Sequence, residues 1–285
     1  MAAPAHSLPW LHSLAPLPRA GRLTVAAGEV HVFYVFADDI DSSDPALIGR
    51  YEAWLTAEER ERYQRFVMAR TRHEHLLTRA LVRSVLSRYA AVAPADWRFG
   101  AGPHGKPFIC EPELGWALSF NLSNTDGLIA CAVSWGADVG IDVENAARSV
   151  ESAGIASSYF APAEAGALLA LPVAEQRERF FVYWTLKESY IKARGLGLAI
   201  PLEQFWFSLG TPGHGGDDPS RAGAAATPRG TDIAIGFDPR LQDDAAAWSF
   251  VLLRASDQHL LAVSVRRTEP VTPIAWYAQH HVPLV

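Results

Sequence analysis

The 285-residue sequence contains few lysines: three of its 25 basic residues are lysine and the other 22 are arginine. Lys106, Lys187 and Lys192 all lie in two short motifs, at residues 102–107 and 184–192. Arginine offers a planar fork of donors, whereas lysine offers a compact charge that suits a single phosphate oxygen. The distribution therefore predicts that these positions need an ammonium group, with chance placement in an arginine-rich chain as the alternative.

Cysteines and long apolar runs are also scarce. The two cysteines, Cys110 and Cys131, belong to no CxxC pattern or histidine cluster, which argues against a disulfide framework and a zinc site. No apolar run approaches the roughly 20 residues of a membrane-spanning helix. Residues 1–20 carry four prolines and lack the charged start and apolar core of a signal peptide, so a loose N-terminal arm is expected. These features predict a cytoplasmic protein without a membrane partner.

The net charge of −6 disfavours nucleic acid as a partner. The charge is unevenly spread, because eight arginines lie between Arg60 and Arg88 against two glutamates, Glu61 and Glu74. A solvated helix face explains most of these arginines. Part of this basic segment could instead receive a small ligand with several phosphate groups, and the segment alone does not decide between the two.

The hydrophobic content of 49% predicts a globular chain with a sizeable core, and the order of its elements predicts two similar halves. In the first half, a strand precedes a helical pattern that starts near Thr56 and several short strands. These strands are predicted at 30–36, 97–99, 107–109, 116–122 and 128–135. In the second half, helices are predicted at 149–159, 162–170 and 174–194, and strands at 138–144, 203–209, 232–237, 247–254 and 259–266.

The predicted fold class is therefore α+β, with two pseudo-repeated halves that each pack helices on a mainly antiparallel sheet. The N-terminal arm spans 1–20, the first half 21–136 and the second half 137–285, with the boundary near Gly136. Residues 210–230 are rich in Gly, Ala, Pro and Asp and predict a flexible insertion in the second half.

Two acidic residues close the strand predicted at 138–144. Residues two apart on a strand point to the same face, so Asp142 and Glu144 present their carboxylates together while Ile141 and Val143 enter the core. Like charges so close repel unless a cation lies between them, and oxygen ligands suit Mg²⁺. An ordinary strand end with exposed acids is the alternative, and for an isolated pair it is favoured.

The helix predicted at 174–194 carries a second polar pair. Glu188 and Lys192 are one turn apart, and Trp184 precedes Glu188 by one turn. A routine surface ion pair is the alternative, but the aromatic and aliphatic neighbours make this helix too apolar to be mostly exposed. We therefore expect the pair to face a cleft, where Glu188 supplies a metal ligand or a base and Lys192 neutralises phosphate charge.

Five motifs in order resemble those of the 4′-phosphopantetheinyl transferases, in particular the long, surfactin-synthetase-activating type with two pseudo-repeated halves. They cover about residues 56–201. The motifs are the arginine-rich helix ending in 81–85, Gly-Lys-Pro at 105–107, Phe-Asn-Leu-Ser at 120–123, Gly-Ile-Asp-Val-Glu at 140–144 and Trp-Thr-Leu-Lys-Glu-Ser-Tyr-Ile-Lys at 184–192. Each motif alone is weak or moderate evidence, but five in order are strong.

The resemblance implies a Mg²⁺-dependent enzyme that transfers the phosphopantetheine arm of coenzyme A to a serine of an apo acyl or peptidyl carrier protein. The other product is adenosine 3′,5′-bisphosphate. Asp142, Glu144 and Glu188 would hold the metal, Lys192 would contact the phosphate under attack, and Glu188 would take the serine proton directly or through a metal-bound water. The active site would lie in the cleft between a coenzyme A-binding first half and a catalytic second half, and one such chain would act as a monomer.

The resemblance also implies the residues that contact coenzyme A. Lys106, Ser123 and Lys187 would bind its phosphate or adenosine groups, and the backbone of Gly105 and Pro107 would shape the adenine slot. Arg62 and Arg72 would meet the 3′-phosphate. Asn124 stands where the family commonly has a phosphate-binding histidine, so it would contribute a hydrogen bond without a charge.

Two further positions depart from the family pattern, because Glu59 stands where this type carries lysine and Glu74 where arginine is expected. Two other functions are open. Another Mg²⁺-dependent phosphoryl transferase would be expected to show a phosphate loop such as GxxxxGK[ST], which this sequence lacks. A non-catalytic module that binds coenzyme A or a carrier protein would be favoured if one of the three carboxylates were missing.

Overall fold

The computed structural model describes residues 14–210, 233–267 and 273–283. The first half contains three α-helices and six strands, and five of these strands follow the predicted order. The helices are α1 (Pro45–Ala53), α2 (Ala57–Arg65) and α3 (Ala69–Leu86). The strands are β1 (Ala15–Pro16), β2 (Glu29–Phe36), β3 (Arg98–Ala101), β4 (Pro107–Glu111), β5 (Leu118–Thr125) and β6 (Leu128–Trp135), of which β1 precedes the predicted set.

The second half follows the same order. Its helices are α4 (Ser152–Tyr159), α5 (Pro162–Leu169) and α6 (Val173–Arg194), the last of which ends at Gly195 in the left-handed conformation. Its strands are β7 (Val139–Asn145), β8 (Phe205–Leu209), β9 (Ile233–Phe237), β10 (Trp248–Arg254), β11 (His259–Arg266) and β12 (Ala275–His280). No helix in the described ranges is long and apolar enough to cross a membrane.

The sheet topology shows the repeat directly. In the first half β6 lies between β2 and β5, and in the second half β11 lies between β7 and β10, with all four pairings antiparallel. The register places Phe33 opposite Cys131 and Val143 opposite Leu261. Two separate hairpins, β3–β4 and β8–β9, occupy corresponding places in the two halves. The prediction of an α+β fold with two similar halves is confirmed.

Both ends of the described chain join the sheet of the first half. β12 pairs in parallel with β2, and β1 pairs in parallel with β12. Leu17 is buried in the apolar cluster of the first half, whereas Ala15 and Pro16 are exposed, and the loose arm at 1–20 stays a prediction. The last strand of the chain therefore completes a sheet that the sequence assigned to the first half. The predicted insertion at 210–230 lies, apart from residue 210, outside the described residues.

Three apolar clusters form the core, and the third sets the orientation of β7. One cluster packs α3 against the first sheet, and a second packs α6 against the second sheet and its hairpin. The third lies between the two sheets and includes Val139, Ile141 and Val143. The alternate residues of β7, including Asp142 and Glu144, therefore point to the opposite side, as predicted from the strand period.

Candidate active site

Gly140 allows α6 to lie directly against β7. A Cβ atom at this position would be 2.1 Å from the carbonyl oxygen of Ser189 and 2.2 Å from the amide nitrogen of Ala193. Both atoms belong to the backbone of α6, so a side chain at position 140 would push the helix away. The close approach brings the face of α6 that carries Glu188 and Lys192 over the polar residues of β7.

Asp142 lies at the centre of this contact. It is buried, and its Oδ1 accepts hydrogen bonds from Lys192 Nζ at 2.6 Å and from Ser123 Oγ at 3.0 Å. Its Oδ2 is buried and has no hydrogen-bond partner among the described residues. Burial raises the pKa of Asp142, while Lys192 and Ser123 act in the opposite direction. An unpartnered buried carboxylate oxygen indicates a place for a cation or a donor from a ligand.

Glu144 and Glu188 share the electrostatic environment of Asp142. Burial and then the neighbouring Asp142 raise the pKa of Glu144 to about 7, against the opposing charge of Arg148, which lies 3.0 Å away. Burial and Asp142 also raise the pKa of Glu188, against the charge of Lys192. All three carboxylates are thus destabilised in their charged form, and each would gain from an added cation.

The three carboxylates provide the oxygen ligands that Mg²⁺ prefers. In this structure, however, their oxygen atoms do not converge on one point. In the part of the chain that the structure describes, no three His, Cys, Asp or Glu side chains form a group that could hold a metal ion. The cation that Asp142 binds here is the ammonium of Lys192. The unpartnered Oδ2 of Asp142 and the raised pKa values nevertheless fit an oxygen-ligated divalent ion, and residues 142, 144 and 188 are the ones that would hold it.

A cavity of about 260 Å³ opens beside these carboxylates and is lined by both halves. The first half contributes the 104–107 loop, in which Gly105 has a φ of +84° that favours glycine. The second half contributes the C-terminal part of α6. The lining residues are His104, Gly105, Lys106, Pro107, Asn121, Leu122, Glu188, Ile191, Lys192, Gly195 and Gly197. The structure thus brings the predicted residues 105–107 together with Glu188 and Lys192.

Lys106 joins the 104–107 loop to the end of α6. Its Nζ donates to the carbonyl oxygen of Ala193 at 2.6 Å, and its side chain packs on Gly195. A cation at the C-terminus of a helix is favourable because the last carbonyl groups lack partners within the helix. Burial lowers the pKa of Lys106. In this structure the ammonium therefore fixes the helix end while the residue also lines the cavity.

The structure places Lys187, a predicted contact to coenzyme A, in the core of the second half, and its role toward coenzyme A stays a prediction. The side chain is fully buried, lies 2.7 Å from Glu164 Oε2, and donates to the carbonyl oxygens of Leu202 and Phe205 at 2.8 and 2.6 Å. Two of its three N–H groups donate to these carbonyl oxygens, and the carboxylate of Glu164 forms an ion pair with it. Lys187 therefore links α6 to α5 and to the start of β8, and it does not line the cavity.

Ser123 and Asn121 connect the two sheets, a role that the sequence did not reveal. Asn121 Oδ1 accepts from the amide of Ile141 at 2.9 Å, and Ser123 Oγ accepts from the amide of Val143 at 3.2 Å. Side chains of β5 thereby form the hydrogen bonds to β7 that backbone groups would form between two strands of one sheet. The two polar residues on β5 are two positions apart, as are their partners on β7. This spacing could have indicated the contact only if the two strands were already known to be neighbours. Ser123 also accepts from Lys192 Nζ at 2.8 Å, so its hydroxyl is part of the Asp142 network.

The remaining predicted contacts to coenzyme A lie away from this cavity. Asn124 and Arg62 are exposed. Arg72 is half-buried and lines a separate cavity of about 400 Å³ together with Tyr63, Arg70 and His73. The structure does not bring these three predicted residues to the cavity of Lys106 and Glu188, and their roles stay predictions.

Both acidic departures from the family pattern have structural partners. Glu59 Oε2 accepts from the buried guanidinium of Arg83 at 2.6 Å. Glu74 Oε1 accepts from the amide of Gly127 at 3.1 Å, in the turn between β5 and β6. These contacts explain the two glutamates by packing and hydrogen bonding rather than by ligand binding.

Comparison with known proteins places the chain in a family. Residues 138–216 match the model of the 4′-phosphopantetheinyl transferase superfamily, and residues 45–135 match that of the 4′-phosphopantetheinyl transferase N-terminal region. The 4′-phosphopantetheinyl transferase HetI of Nostoc sp. is 30% identical over 249 residues, which cover 87% of this chain and 92% of HetI. The 4′-phosphopantetheinyl transferase Sfp of Bacillus subtilis is 37% identical over 156 residues, which cover 55% of this chain and 67% of Sfp.

These matches include every motif discussed above, and they span both halves of the fold. The resemblance predicted from the sequence is confirmed. The chain belongs to the 4′-phosphopantetheinyl transferase superfamily and is an enzyme of the transferase class.

Proposed function

We propose that the enzyme transfers the 4′-phosphopantetheine group of coenzyme A to a serine hydroxyl of an apo acyl or peptidyl carrier protein and releases adenosine 3′,5′-bisphosphate. One observation carries the proposal: both halves line a single cavity, where Lys106 from the first half meets Glu188 and Lys192 from the second. Family membership supports the same chemistry, since HetI and Sfp are both named as 4′-phosphopantetheinyl transferases.

Glu188 is the proposed general base. The serine oxygen forms a bond to the phosphorus that carries pantetheine, the serine proton passes to Glu188, and the pyrophosphate P–O bond breaks. The bisphosphate leaves with the electron pair of that bond. Burial and the charge of Asp142 raise the pKa of Glu188, which makes it a stronger proton acceptor than an exposed glutamate.

Lys192 is the proposed partner of the phosphate under attack. Its Nζ now binds Asp142 and Ser123, while its side chain lines the cavity. In the ligand complex we propose that the ammonium donates to a phosphate oxygen and stabilises charge that develops in the transition state. Positioning and charge neutralisation account for most of the catalysis of phosphoryl transfer.

Asp142, Glu144 and Glu188 are proposed to hold Mg²⁺. When bound, the ion would neutralise charge on the pyrophosphate of coenzyme A. The protein side of this proposal is the burial of the carboxylates and then the charge of Asp142, which together raise the pKa values of Glu144 and Glu188. A cation would relieve the repulsion.

The backbone of Gly105 and Pro107 is proposed to shape the adenine slot, and Lys106 is proposed to bind phosphate or adenosine groups of coenzyme A. All three residues line the cavity. The phosphate contacts of Ser123, Asn124, Arg62 and Arg72 are proposed as the sequence predicts them. We also propose a cytoplasmic monomer, because a single chain supplies both sides of the cavity. Nucleic acid and membranes are not among the proposed partners.

The test is the mass of a purified apo carrier protein after incubation with coenzyme A, Mg²⁺ and the enzyme. We expect the wild type to add one phosphopantetheine to the carrier serine and Glu188→Gln to slow transfer by about 10²-fold or more, as for loss of a general base. Removal of divalent ions with a chelator is expected to stop the wild-type reaction, and added Mg²⁺ to restore it.

Glu175→Gln is the matched control, because Glu175 is exposed in the first turn of the same helix. This variant is expected to retain wild-type transfer. If the wild type modifies none of several acyl and peptidyl carriers but still binds coenzyme A, the proposal fails and the chain is a binding module.

A further inference from the structure

The loop between α2 and α3 presents two apolar side chains to solvent. Phe66 turns inward and packs on His75, with the ring centroids 4.8 Å apart. The backbone is extended at Phe66 and Met68, so the intervening chain cannot fold back on itself. Val67 is 93% exposed and Met68 68% exposed. Large apolar residues held outward in this way are typical of contacts with another molecule.

Arginines surround this apolar pair. Residues 62–72, named here the arginine loop, contain four arginines and no acidic residue in a chain whose net charge is −6. Arg65 pairs with Glu61, and both side chains are well exposed, so the pair is weak. Arg62 and Arg72 form no ion pair within the described residues. The arginine loop therefore presents a positive surface with an apolar centre.

The arginine loop lies outside the cavity of Lys106 and Glu188, but it contacts the turn between β5 and β6. Arg70 forms an ion pair with Asp126, in the turn between β5 and β6 and three residues after Ser123. The carbonyl oxygen of Asp126 accepts from His259 Nε2 at 2.9 Å, which connects the same turn to the second half. A molecule seated on the arginine loop would therefore adjoin the region where Asp142 and Glu144 face α6.

We propose that the arginine loop is a docking surface for the carrier protein, with Val67 and Met68 in an apolar contact and Arg65 facing an acidic residue of the carrier, while Arg62 and Arg72 keep their proposed contacts with coenzyme A. The proposal rests on the proposed function, which requires a second macromolecule to bring its serine to the cavity. The chemistry recognised is an acidic surface with an exposed apolar side chain at its centre.

A membrane with anionic lipids is the other class of partner for a basic, apolar loop, and the charges around the loop disfavour it. Glu58, Glu59 and Glu61 lie in α2 directly before the arginine loop. A flat anionic surface that reached Val67 and Met68 would also approach the exposed carboxylates of Glu58 and Glu61. A compact protein partner contacts residues 62–72 without them.

The test is the affinity of the enzyme for an apo carrier protein, measured by calorimetry, together with the KM values for carrier and coenzyme A. Val67→Ser/Met68→Ser is expected to weaken carrier binding about tenfold and to raise the carrier KM similarly, because central apolar contacts dominate such interfaces. The KM for coenzyme A and kcat at saturating carrier are expected to stay at wild-type values. Arg65→Glu is expected to weaken carrier binding and to reduce its dependence on salt.

Val173→Ser is the matched control. Val173 is 83% exposed and begins α6, outside the arginine loop. It is expected to leave carrier binding unchanged, and circular dichroism is expected to show that all variants fold. Unchanged carrier affinity in Val67→Ser/Met68→Ser would overturn the docking proposal, as would binding to anionic vesicles that this variant loses while it keeps its carrier affinity. Absence of transfer by the wild type would instead sink the proposed function, and the calorimetry would still decide the docking question.

Discussion

Gly140→Ala is expected to destabilise the enzyme by about 3 kcal/mol, at the upper end of the usual cost of an inserted methyl group in a packed core. A Cβ at this position would meet the backbone of Ser189 and Ala193 at 2.1 and 2.2 Å, and backbone atoms cannot move aside as a flexible side chain can. Either α6 moves away from β7 or the helix unfolds locally. Urea unfolding followed by circular dichroism measures the change in the free energy of unfolding.

The same substitution is expected to lower transfer by about 10²-fold or more even where the protein remains folded, because an ångström of misplacement can cost that much. The displaced helix carries Glu188 and Lys192, whereas Asp142 would remain on β7. Transfer to a carrier protein is the measurement, made at a temperature where circular dichroism shows the variant to be folded.

Gly166→Ala supplies the control for both effects. Gly166 lies in α5, and a Cβ at this position would have no neighbour within 4 Å. Alanine favours a helix over glycine by roughly 0.8–1 kcal/mol, so this variant is expected to be as stable as the wild type or more so. Wild-type stability and transfer in Gly140→Ala would contradict the packing that we assign to Gly140.

The pattern of β7 shows what local sequence can predict. The alternation of apolar and acidic residues from Ile141 to Glu144 placed the carboxylates on one face before any partner strand was known, and the structure confirms this because Ile141 and Val143 enter the core between the sheets. The order of strands and helices was predicted for the same reason, since period and turn residues are local properties.

The partners of the chain ends could not be predicted in this way. β12 lies parallel to β2, a strand some 240 residues earlier, and no local property of residues 275–280 selects that neighbour. The contacts of Asn121 and Ser123 with β7 depend in the same way on the packing of two sheets. Ser123 was assigned to a ligand because its motif was known, and the packing gives its hydroxyl a second set of partners.

One kind of role was predicted from the sequence for all three lysines, but the structure places them in different environments. Lys192 and Lys106 line the cavity, as expected. Lys187 is adjacent to Glu188 in sequence but is rotated by about 100° around α6, which turns it into the core instead. Sequence spacing alone could not show that a carboxylate of α5, Glu164, lies 2.7 Å from the Lys187 ammonium on the far side of α6.

Lys187→Met is therefore expected to destabilise the enzyme by about 3–5 kcal/mol, because it leaves a buried carboxylate without its partner. Glu164 is 1% exposed and also accepts from the amide of Phe207 at 2.8 Å, so it cannot turn to solvent without losing that contact. The free energy of unfolding in urea is the measurement. The exposed pair Arg65–Glu61 is the control, and Arg65→Met is expected to cost less than about 1 kcal/mol.

The double variant Lys187→Met/Glu164→Gln separates a buried ion pair from a ligand contact. Glutamine keeps an acceptor for the amide of Phe207 but carries no charge, so the double variant is expected to be more stable than Lys187→Met alone. Because Lys187 lies away from the cavity, the double variant is expected to bind coenzyme A with wild-type affinity in calorimetry. A stable double variant with at least tenfold weaker binding of coenzyme A would support the role that the sequence predicts for Lys187, and it would require that α6 rotate when the ligand binds.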